Sequence, residues 1–218
     1  MKTIGSTIIM LALVPSLFAD NSKELKLASP DGTHEIAFYQ KQVSPAVNEL
    51  CYRVDYKSQP VVNESRAGLE LDNRIWEMAL GVRNLKQPAC WMDNLEVDSV
   101  TYQPETDITW QPLYGERSSV RDHYRAGTLC LSKKDNSGYR LNIEVRAYNE
   151  GVAFRYFFPE HPKAIFHKVV GDLTEYALPA GTKAWTEQWA QAFFERLNID
   201  DIKHPVERAL TFELPNGK

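Results

Sequence analysis

Short runs in which apolar and polar residues alternate recur along the chain and constrain its fold more than any other feature. A period of two is typical of β-strands with one buried face, and turn signals separate the runs. One such signal is Ser29-Pro30-Asp31-Gly32, in which proline fixes φ and glycine supplies a positive φ. Only residues 186–197 form a helical candidate, and a weak one. The pattern predicts an all-β sandwich or barrel with strands in residues 25–27, 34–39, 50–56, 68–71, 96–102, 128–132, 139–148, 152–158 and 210–214.

The clearest hairpin surrounds the stretch RAYNEGVAFRYFFP, residues 146–159. Apolar residues occupy every second position from 141 to 147 and again from 152 to 158. A three-residue loop that ends in Gly151 joins the two runs, which predicts a hairpin with Gly151 in the left-handed conformation. We expect Glu150 to be a solvated turn residue. Arg155 lies on the opposite strand face from the apolar residues, where we expect an ion pair within the sheet.

The first nineteen residues have the layout of a secretory signal peptide. Lys2 precedes an apolar run over residues 8–14, and the small residue Ala19 stands before Asp20. A permanent membrane anchor is the weaker alternative, because spanning a bilayer takes about 20 apolar residues. We therefore expect export, removal of residues 1–19 and one domain over residues 20–218.

Charge and cysteine content exclude several classes of function. The net charge is −4 and no cluster of Lys and Arg is present, so nucleic acid is not an expected partner. Cys51, Cys90 and Cys130 form no Cys-x-x-Cys pair, so neither a zinc site nor a redox motif is predicted. One disulfide with a leftover thiol and three buried free thiols both remain open.

Residues 110–125, WQPLYGERSSVRDHYR, are dense in charge. Their arginines and carboxylates can form bidentate ion pairs that hold a loop, or they can grip an anionic ligand. Asp122 beside His123 suggests a general base oriented by a carboxylate. Adjacent strand residues point to opposite faces, however, so we favour a structural ion-pair network.

Residues 185–201 set carboxylates among aromatic rings, with Glu187, Glu195, Asp200 and Asp201 near Trp185, Trp189, Phe193 and Phe194. Rings stack on the C–H faces of sugars, while carboxylates bind hydroxyls or a hard cation. The alternative is a packed edge or loop with solvated carboxylates, and composition alone favours it.

A set of motifs in a fixed order resembles the N-terminal domain of glycoside hydrolase family 97, and it covers nearly all of residues 20–218. These motifs are Leu27-x-Ser29-Pro30-Asp31-Gly32, Leu50-x-Tyr52-x-Val54-x-Tyr56, Gly68-Leu69-x-Leu71, Trp110-Gln111-Pro112-x-Tyr114-Gly115-Glu116, Arg121-x-His123-Tyr124 and Arg146-x-x-Asn149-x-Gly151-Val152-x-Phe154-Arg155-Tyr156-x-Phe158-Pro159.

The resemblance implies a large antiparallel β-sandwich, a super-sandwich similar to galactose mutarotase, followed by a catalytic (β/α)₈ barrel and a small β domain. It implies an exported bacterial enzyme, expected in the periplasm, that acts on α-linked oligosaccharides as an α-glucosidase or α-galactosidase and uses calcium. The catalytic carboxylates of the family lie in the barrel, and retaining and inverting branches exist. One sandwich glutamate of the family ligates the calcium, and Phe194-Glu195 matches its motif best. Glu187 is the second choice.

The sequence ends at residues 212–218 before any barrel strand begins, so we expect a fragment or a truncated frame with an incomplete C-terminal sheet edge. We expect residues 211–214 to form a strand without its hairpin partner, an aggregation hazard. No catalytic residue is assigned, because glycoside hydrolysis requires two positioned carboxylates. One calcium ligand cannot form a site alone, so calcium binding would need the barrel.

The leading hypothesis is therefore a non-catalytic sandwich domain of an α-glycoside hydrolase that supplies an active-site wall and one calcium ligand. The alternative is a stand-alone carbohydrate-binding module with Trp110, Trp185 and Trp189 as a stacking platform. A mutarotase-like enzyme is a third hypothesis, although a shared fold does not establish a function.

Overall fold

The computed structural model describes residues 23–72, 76–77, 82–83, 88–162 and 167–215. The proposed signal peptide, residues 1–19, lies outside them. In the described parts the chain forms strands and one short 3₁₀ helix, Ile199–Asp201, and no helix there is long and apolar enough to cross a membrane. The strands are β1 Glu24–Ala28, β2 His34–Ser44, β3 Val47–Tyr56, β4 Gln59–Arg66, β5 Leu69–Leu71, β6 Trp76–Glu77, β7 Val82–Arg83, β8 Leu95–Tyr102, β9 Thr106–Trp110, β10 Val120–Lys133, β11 Arg140–Tyr148, β12 Gly151–Phe157, β13 Val169–Asp172, β14 Lys183–Thr186, β15 Glu195–Asn198 and β16 Thr211–Glu213.

Two antiparallel sheets face each other and confirm the all-β sandwich prediction. One sheet has the order β1-β2-β3-β4, and the other has the order β12-β11-β10-β8 with β9 paired to β10. β1 packs on β10 and β11, and β2 packs on β11 and β12. Smaller antiparallel sheets pair β13 with β5, β6 with β7, and β14 with both β15 and β16.

The core lies between the two large sheets, where the alternating residues of both inner faces meet. Leu141, Ile143, Val145 and Ala147 of β11 are fully buried, as their spacing predicts. A cluster of rings joins the sheets: Phe154 of β12 lies 5.0 Å from the ring of Phe38 on β2 and 5.4 Å from that of Tyr52 on β3. The hydrophobic pattern therefore sets the strand register on both sheets.

Gly68, just before β5, lies where the neighbouring chain segment leaves no room for a side chain. A Cβ atom there would lie 2.8 Å from both the Met92 Cβ and the Trp91 carbonyl oxygen. Trp91 is fully buried, and its Nε1 donates to the Pro88 carbonyl at 2.9 Å. The motif glycine thus allows two chain segments to touch, and any side chain would force them apart.

The hairpin at β11 and β12 is confirmed, but one detail of its turn is wrong. Tyr148 pairs with Gly151, so the turn contains two residues and Gly151 already belongs to β12. The φ of Gly151 is 158°, far from the left-handed value of about 57°. Glu150 is exposed, and Arg155 donates from Nε to Glu144 Oε2 at 2.7 Å across the sheet, as predicted.

One further expectation needs correction. Residues 186–197 form no helix, because Thr186 and Glu195 pair across the β14–β15 hairpin and residues 187–194 are its loop. The strand predicted at residues 211–214 is present as Thr211–Glu213 and pairs with β14 on one side, whereas its expected hairpin through residues 215–217 reaches beyond the described residues and stays a prediction. On its other side the described chain places no strand.

Cys51, Cys90 and Cys130 are all free thiols, and burial raises the pKa of Cys51 to about 11.

Candidate functional site

The charged segment 110–125 forms the end of β9, a loop and the first half of β10. Arg121 donates two hydrogen bonds to Asp107, from Nε to Oδ1 and from Nη2 to Oδ2, both at 2.7 Å. This bidentate pair joins β9 to β10 and lowers the pKa of the Asp107 carboxyl. Two arginines of the segment form ion pairs as predicted, but their partners are Asp107 and Glu105, which precede the segment, rather than its own carboxylates Glu116 and Asp122.

His123 bonds to a carboxylate other than its sequence neighbour. Its Nε2 lies 2.7 Å from Glu105 Oε1, and Arg125 Nε donates to Glu105 Oε2 at 2.9 Å. Asp122 is the preceding residue of the same strand and faces the other side. The hydrogen bonds from His123 and Arg125 lower the pKa of Glu105. Arg125 therefore balances the charge of Glu105 within the sheet. His123 and Asp122 do not form a dyad.

Sequence reasoning missed Glu105 and Asp107 as these partners. They stand two positions apart, as do Arg121, His123 and Arg125. Matching charge patterns on either side of a loop are a cross-strand signal. The spacing of the acidic pair could therefore have identified it.

A second hydrogen-bonded junction connects motifs that are far apart in sequence. Asp31 Oδ1 accepts from Ser29 Oγ at 2.6 Å, from Thr33 Oγ1 at 2.8 Å and from Thr33 N at 3.0 Å. These bonds lower the pKa of Asp31 to about 2, with the Ser29 hydroxyl as the largest cause. The backbone N–H of Asp31 donates to Asn149 Oδ1 at 3.0 Å. The Ser-Pro-Asp-Gly turn thus docks onto the β11–β12 turn and plays a structural role.

The aromatic–acidic segment, residues 185–201, is mostly exposed. In the loop of the β14–β15 hairpin, 93% of Phe193, 71% of Phe194 and 57% of Trp189 are accessible to solvent. One internal bond orders this loop, from Ala192 N to the Trp189 carbonyl oxygen at 2.8 Å. The rings therefore form a surface of the domain and contribute little to its core.

Glu195, the predicted calcium ligand, is the first residue of β15 and is exposed. In the described part of the chain its carboxylate makes no hydrogen bond or ion pair, whereas its backbone carbonyl accepts from Thr186 Oγ1 at 3.4 Å. Glu187 is half-buried directly after β14, at the other end of the same loop. The hairpin therefore places both candidates at the two ends of one loop.

The residues described contain no group of three or more His, Cys, Asp or Glu side chains able to hold a metal ion. A calcium ion takes six to eight oxygen ligands. An exposed carboxylate such as that of Glu195 fits one position in such a shell. Ligands from outside these residues would have to complete it.

Trp185 lies beside a fixed cation. Arg196 stacks with its guanidinium carbon 5.1 Å from the Trp185 ring centroid and also bonds to Glu213 of β16. Trp110 is exposed but belongs to β9 of the five-stranded sheet, whereas Trp185 belongs to β14. The three tryptophans of the predicted stacking platform therefore do not share a sheet.

Comparisons with known proteins agree with this fold. The family model described as glycosyl-hydrolase 97 N-terminal matches residues 27–218. The retaining α-galactosidase of Bacteroides thetaiotaomicron is 26% identical over 178 residues, which are 82% of this chain and 22% of that enzyme.

Solved structures show the same architecture. A glycoside hydrolase family 97 enzyme from Pseudoalteromonas sp. strain K8, solved with acarbose, superposes with a TM-score of 0.73 at 24% identity, over 88% of this chain and 27% of that one. A β-arabinopyranosidase superposes with a TM-score of 0.60 at 19% identity, over 75% of this chain and 23% of that one. The chain thus spans about a quarter of the length of these relatives. Since the family match covers most of its residues, the chain belongs to the N-terminal domain family of glycoside hydrolase family 97.

Proposed function

We propose that this chain is the non-catalytic N-terminal β-sandwich part of an exported, calcium-dependent α-glycoside hydrolase of the α-glucosidase or α-galactosidase type. The loop of the β14–β15 hairpin would form one wall of the active site. Glu195 would supply one calcium ligand, with Glu187 as the second candidate. The observation that carries this proposal is an exposed carboxylate, unpaired within the described residues, beside exposed rings on a domain whose relatives are about four times longer.

The exposed rings support a role at an interface. Full exposure of a phenylalanine gives up about 1.5–3 kcal/mol of burial free energy, so exposed neighbouring rings mark a surface that a partner or ligand covers. Phe193 and Phe194 directly precede Glu195 and are the most exposed rings of the loop. A catalytic domain that packs here would bury both rings and bring its own oxygens to Glu195.

A bound calcium ion would supply a fixed positive charge, held in part by Glu195. The role of this chain in that arrangement is to present the Glu195 carboxylate from a strand end, where pairing of β15 with β14 fixes the backbone. Hydrolysis itself needs a pair of carboxylates on either side of the glycosidic bond. We propose that the barrel of the complete enzyme supplies this pair.

A chimera tests the assignment of the ligand. Residues 20–218 would replace the matched part of the retaining α-galactosidase, and calcium affinity would be measured by titration calorimetry. We expect Glu195→Gln to weaken calcium binding at least about tenfold, since it replaces a charged carboxylate ligand with a neutral amide that offers one oxygen. Glu187→Gln is the matched control at the other end of the loop and should change the affinity less than about twofold.

If Glu187→Gln weakens calcium binding and Glu195→Gln leaves the calcium affinity unchanged, the ligand is Glu187. If both variants bind calcium like the parent chimera, the proposed ligand role is wrong.

Export is tested separately by sequencing the N-terminus of the secreted protein, which should begin at Asp20.

A stand-alone carbohydrate-binding module is the second candidate, and the exposure of Trp110 and Trp189 favours it. Exposed aromatic faces are the usual contact surface for sugar rings. Titration of the chain with maltooligosaccharides separates the two functions. Binding at millimolar or tighter Kd that is lost in Trp189→Ala would favour the module, and absence of binding would favour the glycosidase domain.

A further inference from the structure

The solvent face of the five-stranded sheet carries a polar cleft of about 330 Å³. Strands β10, β11 and β12 supply most of its lining, and the cleft shares no residue with the β14–β15 hairpin. Side chains on this face alternate with those that enter the core: Val145 of β11 is buried, whereas Glu144 and Arg146 on either side of it are not. The volume lies at the lower end of the range of about 300–1,000 Å³ that small-molecule sites occupy.

A row of small side chains across three strands opens the cleft. Ala126 of β10 pairs with Arg146 of β11, which pairs with Ala153 of β12. The Arg146 guanidinium carbon lies 4.3 Å from the Tyr124 ring centroid, and its Nη1 donates to the Tyr148 hydroxyl at 3.3 Å. Arg146 thus turns toward the neighbouring pair Tyr124 and Tyr148, and the space above the two alanines is left open.

The next row of the same face forms the opposite side of the cleft and consists of Thr128, Glu144 and Arg155. Arg155 donates from Nε to Glu144 Oε2 at 2.7 Å, and its Nη2 lies 2.6 Å from the same oxygen. These two charges balance each other. The Thr128 hydroxyl and the Gln103 amide add neutral hydrogen-bonding groups, so the cleft presents donors and acceptors side by side.

Arg146 brings a positive charge that no ion pair balances within the described parts of the chain. Asp122 attracts it only from beyond ion-pair distance. A guanidinium is a planar fork of N–H donors that fits a carboxylate with two parallel hydrogen bonds. The Tyr124 ring and the Tyr148 hydroxyl hold this fork in place before a ligand arrives, which lowers the entropy cost of binding.

We propose that this cleft binds a sugar that carries a carboxylate, a hexuronate. Its carboxylate would lie on Arg146 and its ring hydroxyls on the row of Thr128, Glu144 and Arg155. The net charge of the chain is −4, so general attraction of anions does not account for such binding. The site goes beyond the proposed calcium-ligand function, because it holds an acidic sugar on residues outside the β14–β15 hairpin and takes no part in hydrolysis.

Ligand-detected NMR tests this proposal. Saturation-transfer signals of glucuronate and galacturonate would be titrated against the 218-residue chain, with glucose and galactose as their neutral counterparts. We expect saturable uronate binding with a Kd of about 1 mM or tighter, and binding of the neutral sugars that is weaker at least about fivefold. Constant ionic strength keeps the screening of charge equal in all titrations.

Two arginines on the same face of β11 give a matched pair of variants. Arg146 lines the cleft, whereas Arg140, at the start of the strand, is exposed and does not line it. Arg146→Gln should weaken glucuronate binding at least about fivefold and leave glucose binding within about twofold, because it removes the donor to the carboxylate. Arg140→Gln removes the same charge and should leave both Kd values within about twofold.

A third variant fills the cleft without changing its charge. Ala153 is exposed on β12, so Ala153→Leu should fold, which circular dichroism checks for all three variants. The larger side chain occupies the space of the sugar ring and should weaken binding of uronates and neutral sugars at least about fivefold.

Five results would overturn the proposal. They are absence of saturable uronate binding up to about 20 mM, equal Kd values for glucose and glucuronate, equal losses in Arg146→Gln and Arg140→Gln, unchanged binding in Ala153→Leu, and displacement of glucuronate by inorganic sulfate of equal Kd. The last result would assign the cleft to anions in general. Calcium affinity of the chimera should be unaffected by Arg146→Gln, which keeps this test separate from that of Glu195.

Discussion

The β11–β12 hairpin and the β14–β15 hairpin differ in where they place their aromatic and apolar residues. In the first, Ile143 is fully buried and Phe154 contacts rings from the facing sheet. In the second, Phe193 and Phe194 are among the most exposed large hydrophobic side chains of the described structure. One hairpin is completed by its own domain, whereas the other displays groups whose partners would come from elsewhere.

The difference separates residues that identify the family from residues for which we propose a part in its chemistry. The motif residue Asn149 accepts a hydrogen bond from the Asp31 backbone, and at the motif residue Gly68 no Cβ fits beside Trp91. These contacts lie within the domain and restrict the residue type at each position, so the motifs that contain them are easy to recognise in the sequence. Among the residues that the structure describes, none bonds to the Glu195 carboxylate, and the sequence around it is less distinctive.

The largest predicted contrast is in stability. Ile143→Ala removes buried methylene groups from β11 and should lower the free energy of unfolding by about 2–5 kcal/mol. Phe194→Ala removes a larger side chain from an exposed position and should change it by less than about 0.5 kcal/mol. Urea denaturation followed by circular dichroism measures both. Similar losses in the two variants would show that the β14–β15 loop is packed in solution.

A smaller contrast concerns two asparagine hydrogen bonds. Asn149→Ala removes the acceptor for the Asp31 N–H and should cost about 1 kcal/mol, since it uncouples the two turns. Asn198→Ala removes a bond from Nδ2 to Asp201 Oδ2 at 3.2 Å on the exposed side of the aromatic–acidic segment. We expect it to cost no more than a few tenths of a kcal/mol. The comparison fails if Asn198→Ala is the more damaging change in the same urea titration.

The smallest expected effect is a pH dependence from Asp31. Its pKa is about 2 in the fold, below the ordinary 3.8, because Ser29 and Thr33 donate to the charged carboxylate. The resulting stabilisation is present above about pH 4 and is lost as the pH falls toward 2, since the unfolded chain binds the proton first. Asp31→Asn should flatten this part of a stability–pH curve measured by thermal unfolding. If the stability–pH curve of Asp31→Asn had the same slope between pH 4 and pH 2 as that of the unsubstituted chain, the hydrogen bonds to the Asp31 carboxylate would not stabilise the fold.

Alternation predicted most of the large sheets, and its failures have physical causes. β11 and β12 alternate strictly, so their faces and their pairing follow from the sequence. β4 was missed because Val61 and Val62 are adjacent and the rest of Gln59–Arg66 is polar. β14 and β15 are four residues each, too short for a period to be recognised, and their loop residues mimic a helix.

The candidate site was harder to predict than the fold. The ion-pair network was expected, but its carboxylates Glu105 and Asp107 became clear only from the pairing of β9 with β10. Glu195 was chosen from the family motif, and its role as a calcium ligand stays a prediction.

The central claim is that this chain forms a folded scaffold without hydrolytic machinery of its own. The most direct test incubates the purified chain with 4-nitrophenyl α-galactoside and α-glucoside in the presence of calcium and measures nitrophenol release. The full-length retaining α-galactosidase serves as the positive control for the galactoside. We predict release at the rate of the buffer blank for the chain alone. Release above the blank that scales with chain concentration and persists through further purification would contradict the account.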